Sequence, residues 1–407
     1  MSARGKENVL LGAIVAGVGA GIVVGAVWPE GAVSLGWLGD LFLNMLKTLV
    51  LPLVFCSMIA AVTGIRVAGS LRRMAVTTFV YYVATTLAAV TLGLVVVSII
   101  QPGLGVELGA DAAAPAIGPT SLTAIAESII TPNLFAAAYE YQILPILVFA
   151  LVFGIALTAV GDAGSAAVRF FHACNEALLR LVDWVMYAAP FGVAALLAAR
   201  IGKAGGLTGF VTEAQAVGAY CVAVLVGLAI HSFVTLPALL AVLARRNPLR
   251  YAANLSGALA TAFATASSSA TLALTMRLTE ERNEVRPEAA SFVLPLGATV
   301  NMDGTALYEA VAAMFIAQAS GIELALTQQV VIVLTATLAS VGAAGIPQAG
   351  LVTMVIVLEA VGLPLEGISL ILAVDWLLDR FRTTVNVWGD AIGAAVIDAR
   401  NRGELHP

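Results

Sequence analysis

Long stretches of this chain contain no Asp, Glu, Lys or Arg, among them residues 8–29, 48–65, 74–106, 214–244 and 324–358. A helix crosses a bilayer core with roughly 20 apolar residues, and each run is close to that length or beyond it. Composition points the same way. Of 407 residues, 60% are hydrophobic and 11% charged, against roughly 25% charged in soluble globular proteins. So few charges cannot cover a water-soluble surface of this size. The sequence predicts an all-α polytopic membrane protein.

Several functions drop out. The net charge of −5 includes no basic domain for nucleic acid. Cys56, Cys174 and Cys221 are scattered, with no CxxC among them. Such cysteines read as small buried hydrophobes, not as a metal or redox site. His172, His231 and His406 are equally dispersed, and His231 reads as a packed residue. The first apolar run is followed by further spans, and "AVWPEG" is a poor cleavage site, so the run is expected to be retained. No nucleophile–base pair is visible, and the serines at 267–269 have no nearby histidine, which excludes an enzyme.

Basic residues orient the chain. Arg4 and Lys6, then Arg66, Arg72 and Arg73, then Arg245, Arg246 and Arg250, then Arg277, Arg282 and Arg286, and finally Arg400 and Arg402 mark cytoplasmic connections. Residues 101–143 carry Glu107, Asp111, Glu127 and Glu140 but no base, and 319–327 only Glu323. Both termini are therefore expected inside, with the acidic loop outside; Arg200 and Lys203 are a mild violation. Residues 252–276 lie between basic ends yet are too few for two spans, so a re-entrant helical hairpin fits. The run 324–358, broken by "SVGAAGIPQAG" at 340–350, fits a second hairpin entering from the opposite side. Broken backbone at membrane depth is tolerated only against protein or water, and opposed hairpins suggest an inverted repeat whose tips meet at a substrate site.

Ionisable residues inside apolar spans are costly and mark function. At 100° per residue, Asp375, Asp379, Arg382, Asn386 and Asp390 share an arc of about 80°, while Arg380 points about 140° away from Asp375. One reading is an ion-pair ladder stapling helices. The excess of acid on this face instead asks for a cation the protein does not supply. Arg382 suits a side-chain carboxylate and Asp379 an α-ammonium, so the ligand class is an acidic amino acid. Asn301, Met302, Asp303, Gly304 and Thr305 form a second cluster. Gly304 and Gly297 are expected to unwind the helix and free carbonyls for a hard cation. Glu309, two turns on, is either a proton carrier or an ordinary satisfied buried acid. Ser267, Ser268 and Ser269 could turn free amides toward a carboxylate, although a triple serine alone is a weak signal.

"SSSATLALT" (267–275), "LPLGATVNMDGTALYEA" (294–310), "SVGAAGIPQAGLVTM" (340–354) and "AVDWLLDRFRTTVNVWGD" (373–390) resemble, in this order, the glutamate transporter family of dicarboxylate/amino acid:cation symporters. "MLKTLVLPLVF" (45–55) and "QILPILVFALVFGIA" (142–156) extend the resemblance across the chain. It implies eight transmembrane helices plus two re-entrant hairpins, inverted repeats, a homotrimer and an elevator-type transporter; the compact loops point to a bacterial inner membrane. The implied division is scaffold helices at 1–73, a transport-domain helix at 74–103, a loop and scaffold helices at 104–212, and a transport core at 213–407. It places the substrate carboxylate on Arg382 and the ammonium on Asp379, with Ser267–Ser269, Met302, Thr305, Gly350, Thr383 and Asn386 completing the pocket. One sodium would use Gly297, Asn301, Asn386 and Asp390. A second would use Thr299 with Ser340, Val341 and Ala343, and a third Asp303 and Asn301 with Tyr82, Thr85 and Thr86. Asp375 would support the site from behind.

Two departures stand out: Ala273 replaces a usual proline, and residue 266 is Ala, not Arg, while Arg380 is present on the last helix. With Glu309, this resembles the animal and some bacterial glutamate carriers. It implies proton coupling through Glu309 and possible potassium counter-transport, with Arg380 part of that machinery. A substrate of net charge −1 enters against about 2.3 kcal/mol per 100 mV, so at least two monovalent cations must accompany it. The rivals are a C4-dicarboxylate symporter, a neutral amino acid carrier and an ion channel.

Overall fold

The computed structural model describes residues 3–64, 71–104, 130–140, 142–203, 207–341, 343 and 349–401. Most of the acidic stretch expected outside and the centre of the 340–350 break lie beyond these residues, as do Arg66, Arg402 and His406. The described residues are helical, with no strand among them. Among the described residues, three helical segments are long and apolar enough to cross a membrane: 74–100, 145–182 and 217–243.

The helices sort into two packed groups. In the first, α1 (Ala3–Val27) lies along α8 (Ala189–Lys203), with the short α2 (Pro29–Ser34) beside them. Gly17, Gly21 and Gly25 recur every four residues on one face of α1 and let the two backbones meet. A Cβ on Gly21 would sit 2.6 Å from the Ala194 carbonyl oxygen. This is small-residue packing of the kind apolar solvents favour, since burying larger side chains gains nothing over lipid. α3 (Gly36–Gly64) packs on α6 (Ile143–Val160), α7 (Ser165–Met186) and α8.

In the second group, α4 (Leu71–Ile100) and α9 (Leu207–Ile230) pack on α14 (Asp303–Ala319), whose side chains are almost all buried. The long α17 (Ile368–Arg400) lies against α13 (Pro287–Val300), α14, α11 (Pro248–Thr265) and α12 (Ser268–Glu281). It has 33 residues and so runs about 50 Å. Asn247 starts α11 by accepting from the Arg250 amide at 3.1 Å, with Pro248 in the first turn, where no N–H is needed. The first expected hairpin breaks at Ala266, in the left-handed region (φ 50°, ψ 33°), and Ser267 then caps α12 through the Ala270 amide. α15 (Leu326–Val341) and α16 (Ala349–Val361) pack together as the second helical pair.

The break between α13 and α14 falls at Asn301–Met302. Gly297 and Gly304, expected to unwind this segment, are instead both helical. Their role is close approach. A Cβ on Gly304 would lie 2.6 Å from the Arg382 carbonyl oxygen, and one on Gly297 would collide with Asp390 Oδ1 and the Tyr82 hydroxyl.

Candidate substrate and cation site

Because α17 is unbroken, the polar stripe read from its periodicity is physically continuous. Asp375, Asp379, Arg382, Asn386 and Asp390 are all buried. Arg382 has no exposed surface, and its Nη2 donates to Asp379 Oδ1 at 2.7 Å and lies 3.0 Å from Asp375 Oδ1. Its guanidinium sits over the Tyr308 ring, 3.9 Å from the centroid, and the Tyr308 hydroxyl donates to Asp375 at 2.7 Å. Nε and Nη1 have no partner among the described residues. Gly350, in the first turn of α16, faces Nη1: a Cβ there would be 2.7 Å away. A buried cation with idle donors beside a bare backbone can accept an anion.

One turn further along, Asn386 joins α17 to the start of α14. Its Oδ1 accepts from the Gly304 amide at 2.8 Å, and its Nδ2 donates to the Thr305 hydroxyl at 3.2 Å. Met302 and Thr383 are buried beside these residues in sequence. Asn301 Nδ2 then donates to Asp390 Oδ1 at 3.0 Å. Gly297, Asn301, Asn386 and Asp390, the first expected cation set, thus converge at the break.

Asp303 is the centre of the second oxygen cluster. Its Oδ1 accepts from Thr86 at 2.7 Å and Thr85 at 3.3 Å, and Thr85 also reaches Asn301 Oδ1 at 3.4 Å. Tyr82 comes close through Gly297, but its hydroxyl donates to the Val293 carbonyl at 2.8 Å. The carboxylates, amide and hydroxyls are hard oxygen donors suited to an alkali cation.

His231, read from sequence as a packed residue, is fully buried with Nε2 3.1 Å from Asp303 Oδ2. Its placement has a local cause. The Leu236 amide bonds to the His231 carbonyl, making a π-turn over His231–Thr235. Pro237 has no N–H to offer, so the Ser232 carbonyl is released and accepts from Trp388 Nε1 at 3.1 Å. A proline inside an apolar span was the available signal.

Glu309 is fully buried; its Oε1 accepts from the Thr353 hydroxyl of α16, and Oε2 has no partner among the described residues. Ser267 and Ser268 are buried, Ser269 is exposed, and the Ser267 and Ala270 amides are already bonded within the tip. Arg380 lies off the stripe and donates to the Phe263 and Ala264 carbonyls at 2.9 and 2.8 Å, neutralising the C-terminal end of α11. Ser340, Val341 and Ala343 are buried. The Ala343 amide donates to the Ser340 carbonyl at 3.3 Å, while Thr299 is exposed and donates to the Leu296 carbonyl.

Residues 10–400 match the sodium:dicarboxylate symporter family. Human excitatory amino acid transporter 3 is 39% identical, covering 98% of this chain and 87% of its own length. Rat excitatory amino acid transporter 2 is 37% identical, covering 98% and 80%. The excitatory amino acid transporter of Onchocerca volvulus is 36% identical, covering 98% and 91%. With nearly its whole length matched and buried charges gathered in its apolar helices, this chain belongs to the sodium:dicarboxylate symporter family of polytopic membrane transporters.

Proposed function

We propose that the protein is a secondary active symporter of acidic amino acids, L-glutamate or L-aspartate, driven by sodium. The observation that carries this reading is Arg382, wholly buried with Nε and Nη1 idle beside Gly350. A substrate carboxylate completes that cation, and Asp379 meets the ammonium. Sodium fills the oxygen clusters at Asp303–Thr85–Thr86 and Asn301–Asp390 and offsets the charge of substrate and buried acid. Glu309, held by Thr353, carries the coupled proton, and potassium returns in exchange.

In this proposal the chain crosses a bacterial inner membrane eight times, with two re-entrant hairpins and both termini cytoplasmic. The first helix group is the scaffold and the second slides past it. Of the three long apolar segments, 145–182 is the least buried, 22% of its most apolar window against 44% and 33%. That supports assembly as a homotrimer around α6 and α7.

A second reading has one observation in its favour. Arg382 already satisfies Asp379 at 2.7 Å, so a C4-dicarboxylate lacking an ammonium would not leave that acid bare. Uptake of labelled aspartate and glutamate into proteoliposomes, under separately imposed sodium, proton and potassium gradients, tests both. Sodium-driven aspartate accumulation resistant to excess succinate is expected. Accumulation driven equally without sodium, or abolished by succinate alone, overturns the proposal.

A further inference from the structure

The two carboxylate oxygens of Asp303 have different surroundings. Oδ1 faces groups whose protons can turn away. Thr85 Oγ1 lies 3.3 Å from it, yet the nearest acceptor for that hydroxyl is the Tyr82 carbonyl at 3.0 Å. Thr86 and the side-chain oxygen of Asn301 complete this side. A hydroxyl that rotates can offer its lone pairs to a cation. Oδ2 instead meets His231 Nε2 at 3.1 Å, and a ring N–H is a fixed donor. α17 closes the rest of that side: a Cβ on Gly389 would lie 3.5 Å from Oδ2 and 3.8 Å from Leu236 Cδ1. The ring proton has one good place. His231 is fully buried, and Nδ1 has no partner among the described residues. A proton on Nδ1 would be an orphaned buried donor, whereas a bare Nδ1 leaves only an unused lone pair. The neutral tautomer protonated at Nε2 suits both atoms. Trp388, next to Gly389, holds the turn that carries His231 by donating to the Ser232 carbonyl at 3.1 Å.

We infer that His231 is a positioning residue for sodium: its Nε2–H holds Asp303 Oδ2 and so presents Oδ1 to the cation. Being neutral, the ring leaves the charge of the carboxylate for the ion. The inference rests on the sodium cluster proposed above at Asp303, Thr85 and Thr86, and His231 acts only through Asp303. A hydrogen-bond partner behind a metal-ligating group is worth roughly ten- to a hundred-fold in metal affinity.

The test titrates the purified full-length protein, without substrate, with sodium chloride against choline chloride at constant ionic strength. The rise in melting temperature reads binding, and the value in choline alone reads folding. Glutamine carries its amide N–H as many bonds from Cβ as Nε2 is, and asparagine one fewer. His231→Gln is therefore expected to stay within about three-fold of the wild-type sodium midpoint, and His231→Asn to weaken it about ten-fold or more. Asp303→Asn should weaken it too, and the double variant His231→Asn with Asp303→Asn should lose nothing further. The inference is overturned if His231→Gln weakens the midpoint about ten-fold, if His231→Asn leaves it unmoved, or if the loss in the double variant is the sum of the two single losses. An unmoved midpoint in Asp303→Asn itself overturns the sodium cluster, and the role of His231 falls with it.

Discussion

Gly350→Ala separates binding from folding. The added methyl would sit 2.7 Å from Arg382 Nη1 and 3.2 Å from its Cζ and from Thr305 Cγ2. It therefore occupies the space from which a carboxylate would reach Nη1, which has no other partner among the described residues. A hydrogen bond to a charged group contributes about 1.5–3 kcal/mol. At about 1.4 kcal/mol per decade the substrate Kd should rise roughly ten- to a hundred-fold. Stability should move the other way or not at all, because alanine is a better helix former than glycine by up to about 1 kcal/mol and Gly350 lies within α16. The measurement is substrate titration calorimetry on purified protein, paired with a substrate-free melting curve. An unchanged Kd at an unchanged melting temperature would remove Gly350 and Nη1 from the pocket. Weaker binding with a large drop in melting temperature would mean that packing alone is at stake.

Gly304→Ala should behave differently, since its methyl would strike the Arg382 carbonyl oxygen and Cα at 2.6 and 3.0 Å. Separating α14 from α17 should cost about 1–3 kcal/mol, seen as a lower melting temperature with or without substrate. Asp303→Asn removes the charge that Thr85, Thr86 and His231 surround; the sodium concentration for half-maximal uptake should rise at least ten-fold, and an unchanged value would dissociate Asp303 from the cation. Glu309→Gln keeps the Thr353 contact possible but carries no proton; substrate exchange should persist while the accompanying internal acidification, followed with a trapped pH dye, disappears.

What the sequence determined by itself was local and periodic. Charge-free runs specified apolar helices, because a bilayer core demands about 20 such residues per span. The 3.6-residue repeat put Asp375, Asp379, Arg382, Asn386 and Asp390 on one face, and that face is buried as a unit. The Ala/Ser/Thr-rich centre of 252–276 and the 301–302 step likewise broke their helices as the composition suggested.

Only the tertiary structure decided which faces meet. Nothing local to His231 says that Asp303 lies opposite, nor that Thr353 reaches Glu309. The same holds for Gly297 and Gly304, whose sequence context suggested unwinding but which are helical and closely approached by side chains or backbone of other helices. Periodicity fixes the direction in which a side chain leaves its own helix. The atom it encounters depends on the crossing of a second helix, and that is set by packing summed over the whole bundle.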